Sequence, residues 1–195
     1  MSSPPRKIAI FGGTFDPVHE GHLEISNRAR REMGLDEVIF LPCRRSPHKD
    51  TGPIADDAAR LTMLQLSTRD LPWATVSDFE FHRPAPSYTW ETLEKLQENF
   101  TEPTSLFLLI GLDQWQALPR WTHPEKIALM VEFLVFGRDG EPQPRAGYQA
   151  HFFPSNHPAS SSMIREDLAA NRPAKWLSEK TAQYITKKGL YSTIR

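Results

Sequence analysis

Along this chain, short unbroken apolar runs alternate with longer stretches in which apolar positions recur every three or four residues. Residues 7–11 and 37–41 are runs of the first kind, without the alternation of a half-exposed strand, and predict strands buried on both faces. Between them, Ile25, Ala29 and Met33 recur at four-residue spacing with Arg28, Arg30 and Arg31 on other faces, and Gly34 supplies a stop, which predicts a helix over 20–33. Strand, helix and strand make a βαβ unit whose crossover is expected to be right-handed and whose strands are therefore expected to be parallel. The alternation continues with a helix over 55–68 that presents Ala59, Met63 and Leu66 to a core, and with strands near 74–78, 105–110, 132–136 and 151–154. Further helices are expected over 90–99, in a short segment ending at Leu118, Pro119, Arg120 and Trp121, from Ser160 to about 171, and over 175–187. A polar loop with Pro and Gly over 141–149 is the candidate for disorder.

Composition then narrows the class. A chain of 195 residues suffices for one compact α/β domain with a real core and barely for two, so a single domain over 1–195 is expected, with 1–6 as a flexible tail. Lys and Arg number 23 against 24 Asp and Glu, so the molecule as a whole attracts neither a nucleic-acid polymer nor an anionic membrane, and any phosphate affinity must be local. No apolar run approaches the ~20 residues that span a bilayer, and the first seven residues are too short and polar for a secretory signal. The lone Cys43 excludes an internal disulfide and suits a reducing, cytoplasmic setting; no catalytic role is assigned to it.

The chemistry concentrates where the first strand meets the first helix, in Gly12, Gly13, Thr14, Phe15, Asp16, Pro17, Val18, His19, Glu20, Gly21 and His22. A loop entering a helix presents backbone N–H groups and the positive end of the helix dipole, which together suit an anion, and two imidazoles three residues apart add side-chain donors. Spacing excludes several rivals. No Gly-Lys-Ser/Thr follows Gly21, the glycines do not form G-x-G-x-x-G, and the histidines are three apart, not four as in the zinc-protease pattern. A proline-bounded basic loop with Arg44, Arg45, His48 and Lys49 follows the second strand; it is either a solvated surface loop or, since ligands of open α/β sheets bind beyond the carboxyl ends of strands, the facing wall of one crevice.

Three later segments carry paired readings. Ser87 and Thr89 stand where a helix needs an N-cap, while the same helix start could hold a carboxylate on its amides, with Tyr88 flanking an aromatic ring. After a central strand, Gly111, Leu112 and Asp113 place a carboxylate either to meet a ribose hydroxyl or to cap the next helix. Ser160, Ser161 and Ser162 open a helix as caps or as a second phosphate site, which Arg165 could reach with a forked donor one turn in.

The stretch from Gly12 to His22 resembles the signature of the nucleotidylyltransferase superfamily, and most closely its bacterial nicotinate-nucleotide adenylyltransferase family, over about residues 7–191. The resemblance implies a Rossmann-like, doubly wound parallel α/β sheet in one domain. It further implies transfer of AMP from ATP to nicotinate mononucleotide, yielding nicotinate adenine dinucleotide and pyrophosphate in NAD biosynthesis. ATP would be held by Gly12, Gly13, Thr14, Phe15, His19, His22, Gly111, Asp113, Ser161, Ser162 and Arg165. The mononucleotide would be held by Thr14, Lys49, Tyr88, Thr89, Trp121 and Arg138, with Trp121 stacked on the pyridine ring. His19, His22, Lys49 and Arg165 would carry the catalysis, with Mg²⁺ bound mainly through ATP phosphates and no protein metal site. The chain departs from the family pattern at Ala159 and Ser162, where Ile and Thr are usual, and it lacks a Pro after Arg138. Homo-oligomerisation is left open. Other H-x-G-H enzymes, such as phosphopantetheine adenylyltransferases, share the early motif without needing Pro86–Thr89 or Trp121; a non-catalytic nucleotide-binding module would bind ATP without releasing pyrophosphate, and a purely structural domain would bind none.

Overall fold

In the computed structural model, which describes residues 4–45, 51–137 and 142–192, six strands lie parallel in one sheet. They are β1 (Arg6–Gly13), β2 (Glu37–Pro42), β3 (Ala74–Val76), β4 (Thr104–Gly111), β5 (Glu132–Gly137) and β6 (Ala150–Pro154), in the order β3-β2-β1-β4-β5-β6. This is the doubly wound order, whose direction of winding reverses between β1 and β4 and opens a crevice at the carboxyl ends of those strands. The helices are α1 (Glu20–Met33), α2 (Asp57–Thr68), α3 (Thr89–Gln97), α4 (Leu112–Ala117), α5 (Pro124–Met130), α6 (Ser161–Ala169) and α7 (Glu179–Lys188).

Each central strand feeds two cores, which is why its sequence lacks polar alternation. Ile8 and Ile10 pack with Leu93, Trp115 and Ile127 on one face, whereas Ala9 and Phe11 pack with Ala29, Met63 and Ile185 on the other. Helix α1 spans the residues that its periodicity marks. Helix α2 begins at Asp57 because the Asp56 carboxylate caps it, accepting from the Ala59 amide at 2.7 Å. Its buried face differs from expectation: Leu64, not Leu66, joins Ala59 and Met63, and Arg60 is fully buried beside them. Helix α7 starts at Glu179, four residues later than expected, where the Ser178 hydroxyl accepts from the Thr181 amide. Helix α5 has no counterpart in the sequence reading, since seven residues opening on Pro124 are too few to display a period.

Residues from two segments expected to be flexible make defined contacts. Arg6 belongs to β1, with its amide bonded to the Pro103 carbonyl at 3.0 Å and its guanidinium paired with Glu37 at 2.7 Å. The loop expected to be disordered over 141–149 is, from residue 142 onward, fastened to the buried Trp115. The indole N–H donates to the Gln143 carbonyl at 3.1 Å, and the Arg145 guanidinium lies 5.4 Å from the ring centroid. A buried tryptophan needs a partner for its N–H, and this polar loop supplies one.

Gly189, with φ +61, ends α7 and turns the chain so that Tyr191 is buried against the loop after β1. Its hydroxyl donates to Asp16 Oδ1 at 2.7 Å, and burial together with that carboxylate holds the phenol proton far above its ordinary range of loss. Tyr191→Phe should lower unfolding free energy by about 1.5–3 kcal/mol, the scale of a hydrogen bond to a charged group; a urea midpoint equal to wild type would show that the bond contributes nothing.

Candidate active site

Three adjoining hollows form one cleft along the carboxyl ends of β1, β2, β4 and β5. The first is walled by Gly12–Thr14, Cys43, Glu80, Ser87–Thr89 and Trp121. The second holds His19, His22, Gly111–Gln114, Phe136, Gly137 and Ser155–Ser161 residues including His157. The third is bounded by Thr14, Thr51–Ile54, Ser161, Ser162 and Arg165. Thr14 lines the first and third, Phe11, Gly111 and Gln114 the first and second, and Ser161 the second and third, so the hollows are continuous.

The start of α1 is built differently from the amide cradle that its sequence suggests. The His19 amide donates to His22 Nδ1 at 3.2 Å, the Glu20 amide to the Trp176 carbonyl at 2.8 Å, and the His22 amide to the His19 carbonyl at 2.9 Å. Those donors are consumed internally, and the imidazoles face the cleft in their place. Because His22 Nδ1 accepts a backbone N–H, a neutral ring must carry its proton on Nε2, the atom left to donate to a ligand. Burial, followed by the neighbouring His19 and His157 rings, pushes the His22 pKa well below its ordinary 6.5. Its ring sits 3.7 Å from that of His19 and packs at 5.0 Å from Phe15. Gly21 permits this crowding, since a Cβ there would stand 3.1 Å from both the His19 and His157 rings.

Phe15 can serve a ligand through its backbone alone. Its side chain is 2% exposed and its ring centroid is 5.3 Å from that of Phe11, so it is core, and only its backbone can meet a ligand. The ring folds back over Gly13, where a Cβ would come within 2.9 Å of it.

At the other end of the chain, the serine cluster divides its work. Ser160 caps α6, accepting from the Met163 amide at 3.2 Å; Ser161 donates to the Pro17 carbonyl at 2.9 Å. Arg165 donates through Nη1 to the Asp16 carbonyl at 2.6 Å and through Nη2 to the Ser162 hydroxyl at 3.3 Å. The two predicted anion sites therefore meet at one mouth.

In the first hollow, α3 begins with Tyr88 at the N-cap and no capping side chain, so Ser87 and Thr89 do not serve as its cap. Thr92 donates to the buried Glu80 carboxylate at 3.0 Å, and burial pushes that carboxyl pKa up. Trp121 stands on the same wall. Asp113 does not cap α4, whose N-cap is Gly111; it lies exposed at the rim of the second hollow. Lys49 and Arg138 lie outside the described residues.

A Cytidylyltransferase-like family model matches residues 10–167. The nicotinate-nucleotide adenylyltransferase of Bacillus subtilis is 34% identical over 193 residues, 96% of this chain and 100% of its own. A probable nicotinate-nucleotide adenylyltransferase of Dehalococcoides mccartyi is 34% identical over 95% of this chain and 97% of its own. The chain belongs to the nicotinate-nucleotide adenylyltransferase family. Its fold matches that of the Plasmodium falciparum nicotinic acid mononucleotide adenylyltransferase complexed with NaAD, with a TM-score of 0.76 at 20% identity over 96% of this chain and 98% of that one.

Within this nicotinate-nucleotide adenylyltransferase frame, three residues in or behind the cleft have no assignment from sequence. His157 is a histidine in a loop without periodicity, placed against Gly21 and His19 only by the fold. Trp176 caps α1 through its carbonyl, which no side-chain pattern announces. Arg60 did leave a signal, a charge on the same helix face as Met63 and Leu64.

The folded-state pKa of His22 lies below that of an unfolded histidine, so in the window beneath 6.5 the unfolded chain binds more protons and stability falls with falling pH. Unfolding free energy of the ligand-free protein should decline from about pH 7 to 5, and less steeply in His22→Asn; identical slopes would contradict the assignment.

Proposed function

We propose that the chain catalyses adenylyl transfer from ATP to nicotinate mononucleotide, releasing pyrophosphate. The observation that carries this reading is the junction of Ser161 and Arg165 with the carbonyls of Pro17 and Asp16, which brings both anion-binding segments to one continuous cleft. The family supports the reaction, and the wall of Ser87, Tyr88, Thr89 and Trp121 supports a planar acceptor bearing a carboxylate.

In the reaction, an oxygen of the mononucleotide phosphate forms a bond to the α-phosphorus of ATP while the bond to the β-phosphate oxygen breaks, and pyrophosphate departs with that electron pair. Such displacements ask for positioning and charge stabilisation, not for a nucleophilic side chain. His22, with Nε2–H outward, donates to the phosphoryl group under attack, and His19 lies beside it. Ser162 and Arg165 hold the departing pyrophosphate, Lys49 orients the attacking phosphate, and Arg138 assists the acceptor. Asp113, at the far rim, meets the ribose. Hard oxygen donors at the phosphate end, namely Thr14, Ser161 and Ser162, suit a hydrated Mg²⁺ that ATP brings with it. That ion supplies neutralisation of phosphate charge. Among the described residues no helix is long and apolar enough to cross a membrane.

His22→Ala and Arg165→Ala should each lower turnover on the order of 10²–10³-fold in a pyrophosphate-release assay, the scale of one lost transition-state donor. Near-normal rates would refute their roles. Run with nicotinate mononucleotide, nicotinamide mononucleotide and phosphopantetheine, the same assay should show turnover best with the first; preference for phosphopantetheine would overturn the substrate.

A further inference from the structure

Arg60 is fully buried on α2, yet the reaction outlined above gives it no part. Its Nη1 donates to two backbone carbonyls, that of Thr14 at 2.8 Å and that of Cys43 at 2.7 Å. Its Nη2 meets the Asp57 carboxylate at 2.5 Å, and the guanidinium lies 5.0 Å from the Phe81 ring centroid. Thr14 and Cys43 follow adjacent strands. The β1–β2 ladder makes its last pairing between Gly13 and Pro42, with one further bond from the Cys43 amide to the Gly13 carbonyl. Beyond that point the strand pairing stops: the Cys43 thiol reaches the Thr14 hydroxyl at 3.9 Å, and the backbone carbonyls of both residues accept from Arg60.

We infer that Arg60 is a positioning residue that acts as the next rung of this ladder, setting the distance between the loop that grips ATP and the loop that receives the acceptor. Thr14 borders both the acceptor hollow and the phosphate hollow, while Cys43 borders the acceptor hollow and leads into the basic loop. A planar guanidinium suits the task because one nitrogen can serve two carbonyls while the other is neutralised by Asp57. Lysine offers a cation but not the fork, nor the flat face over Phe81. Since Arg60 borders none of the three hollows, its loss should act through geometry, and a misplacement of about 1 Å can cost about 10²-fold in rate.

The inference rests on the adenylyl-transfer reaction and is tested with Arg60→Lys and Arg60→Met in the full chain. Circular dichroism monitors folding, calorimetry reports ATP binding, and steady-state kinetics use ATP with nicotinate mononucleotide. Arg60→Lys should bind ATP, and show an acceptor KM, within about threefold of wild type, while kcat falls about 10- to 100-fold, with a larger fall in Arg60→Met. Wild-type kcat in Arg60→Lys, or a loss confined to KM, would overturn it; should Arg60→Met fail to fold, the kcat and KM of Arg60→Lys decide alone. A wild-type chain inert towards every mononucleotide would instead overturn the reaction, and with it the need for such spacing.

Discussion

One buried carboxylate holds the working edge of this molecule together. Asp16 is 4% exposed and accepts from the Ile54 amide at 2.7 Å, the Ala55 amide at 3.1 Å and the Tyr191 hydroxyl at 2.7 Å, while its own carbonyl receives Arg165. A carboxylate taken from water costs several kcal/mol unless its lone pairs are met, so the loop after β1 is stable only in the conformation that meets them. In that conformation the loop before α2, the turn after α7 and Arg165 on α6 all close on the same residue. Segments more than a hundred residues apart in sequence are thereby brought to one residue, Tyr191 through the Asp16 carboxylate and Arg165 through the Asp16 carbonyl.

The cleft's electrostatics follow from how little formal charge it uses. Burial and the neighbouring His19 and His157 rings disfavour a positive His22 in the ligand-free cleft, while Arg165 supplies fixed charge from α6. The chain's near balance of charge is consistent with attraction that is local and confined to that mouth. On the opposite wall, Glu80 is buried behind α3 and bonded to Thr92, which fixes the helix start that carries Tyr88 and Thr89.

Much of the fold was legible because buried parallel strands and amphipathic helices write distinct periods; the six strands fall close to their expected places. What escaped has a common cause. The seven-residue α5 is too short for periodicity, and the 142–149 loop looks disordered until the indole of Trp115 is known to need its carbonyl. Within the site, the histidine pair and the serine cluster were readable as local motifs, and so was their meeting if ATP was to be clasped. Their wiring was not: that the amides at the start of α1 are spent on the Trp176 carbonyl, the His22 ring and the His19 carbonyl, or that Phe15 turns inward, depends on how the folded chain packs. Arg60 shows the same limit in reverse, since a charge on an apolar helix face marks a buried function without naming the carbonyls it serves.

The central claim is that one cleft receives both reactants, with the acceptor on the β2 side and ATP across the β1–β4 switch point. A crystal structure of the protein with nicotinate adenine dinucleotide tests it most directly. The account predicts the pyridine ring between Tyr88 and Trp121, the bridging phosphates within hydrogen-bonding distance of His22 Nε2, and the adenosine beside Gly111 and His157. A dinucleotide bound elsewhere, or lying in the cleft in the reverse direction, would contradict it.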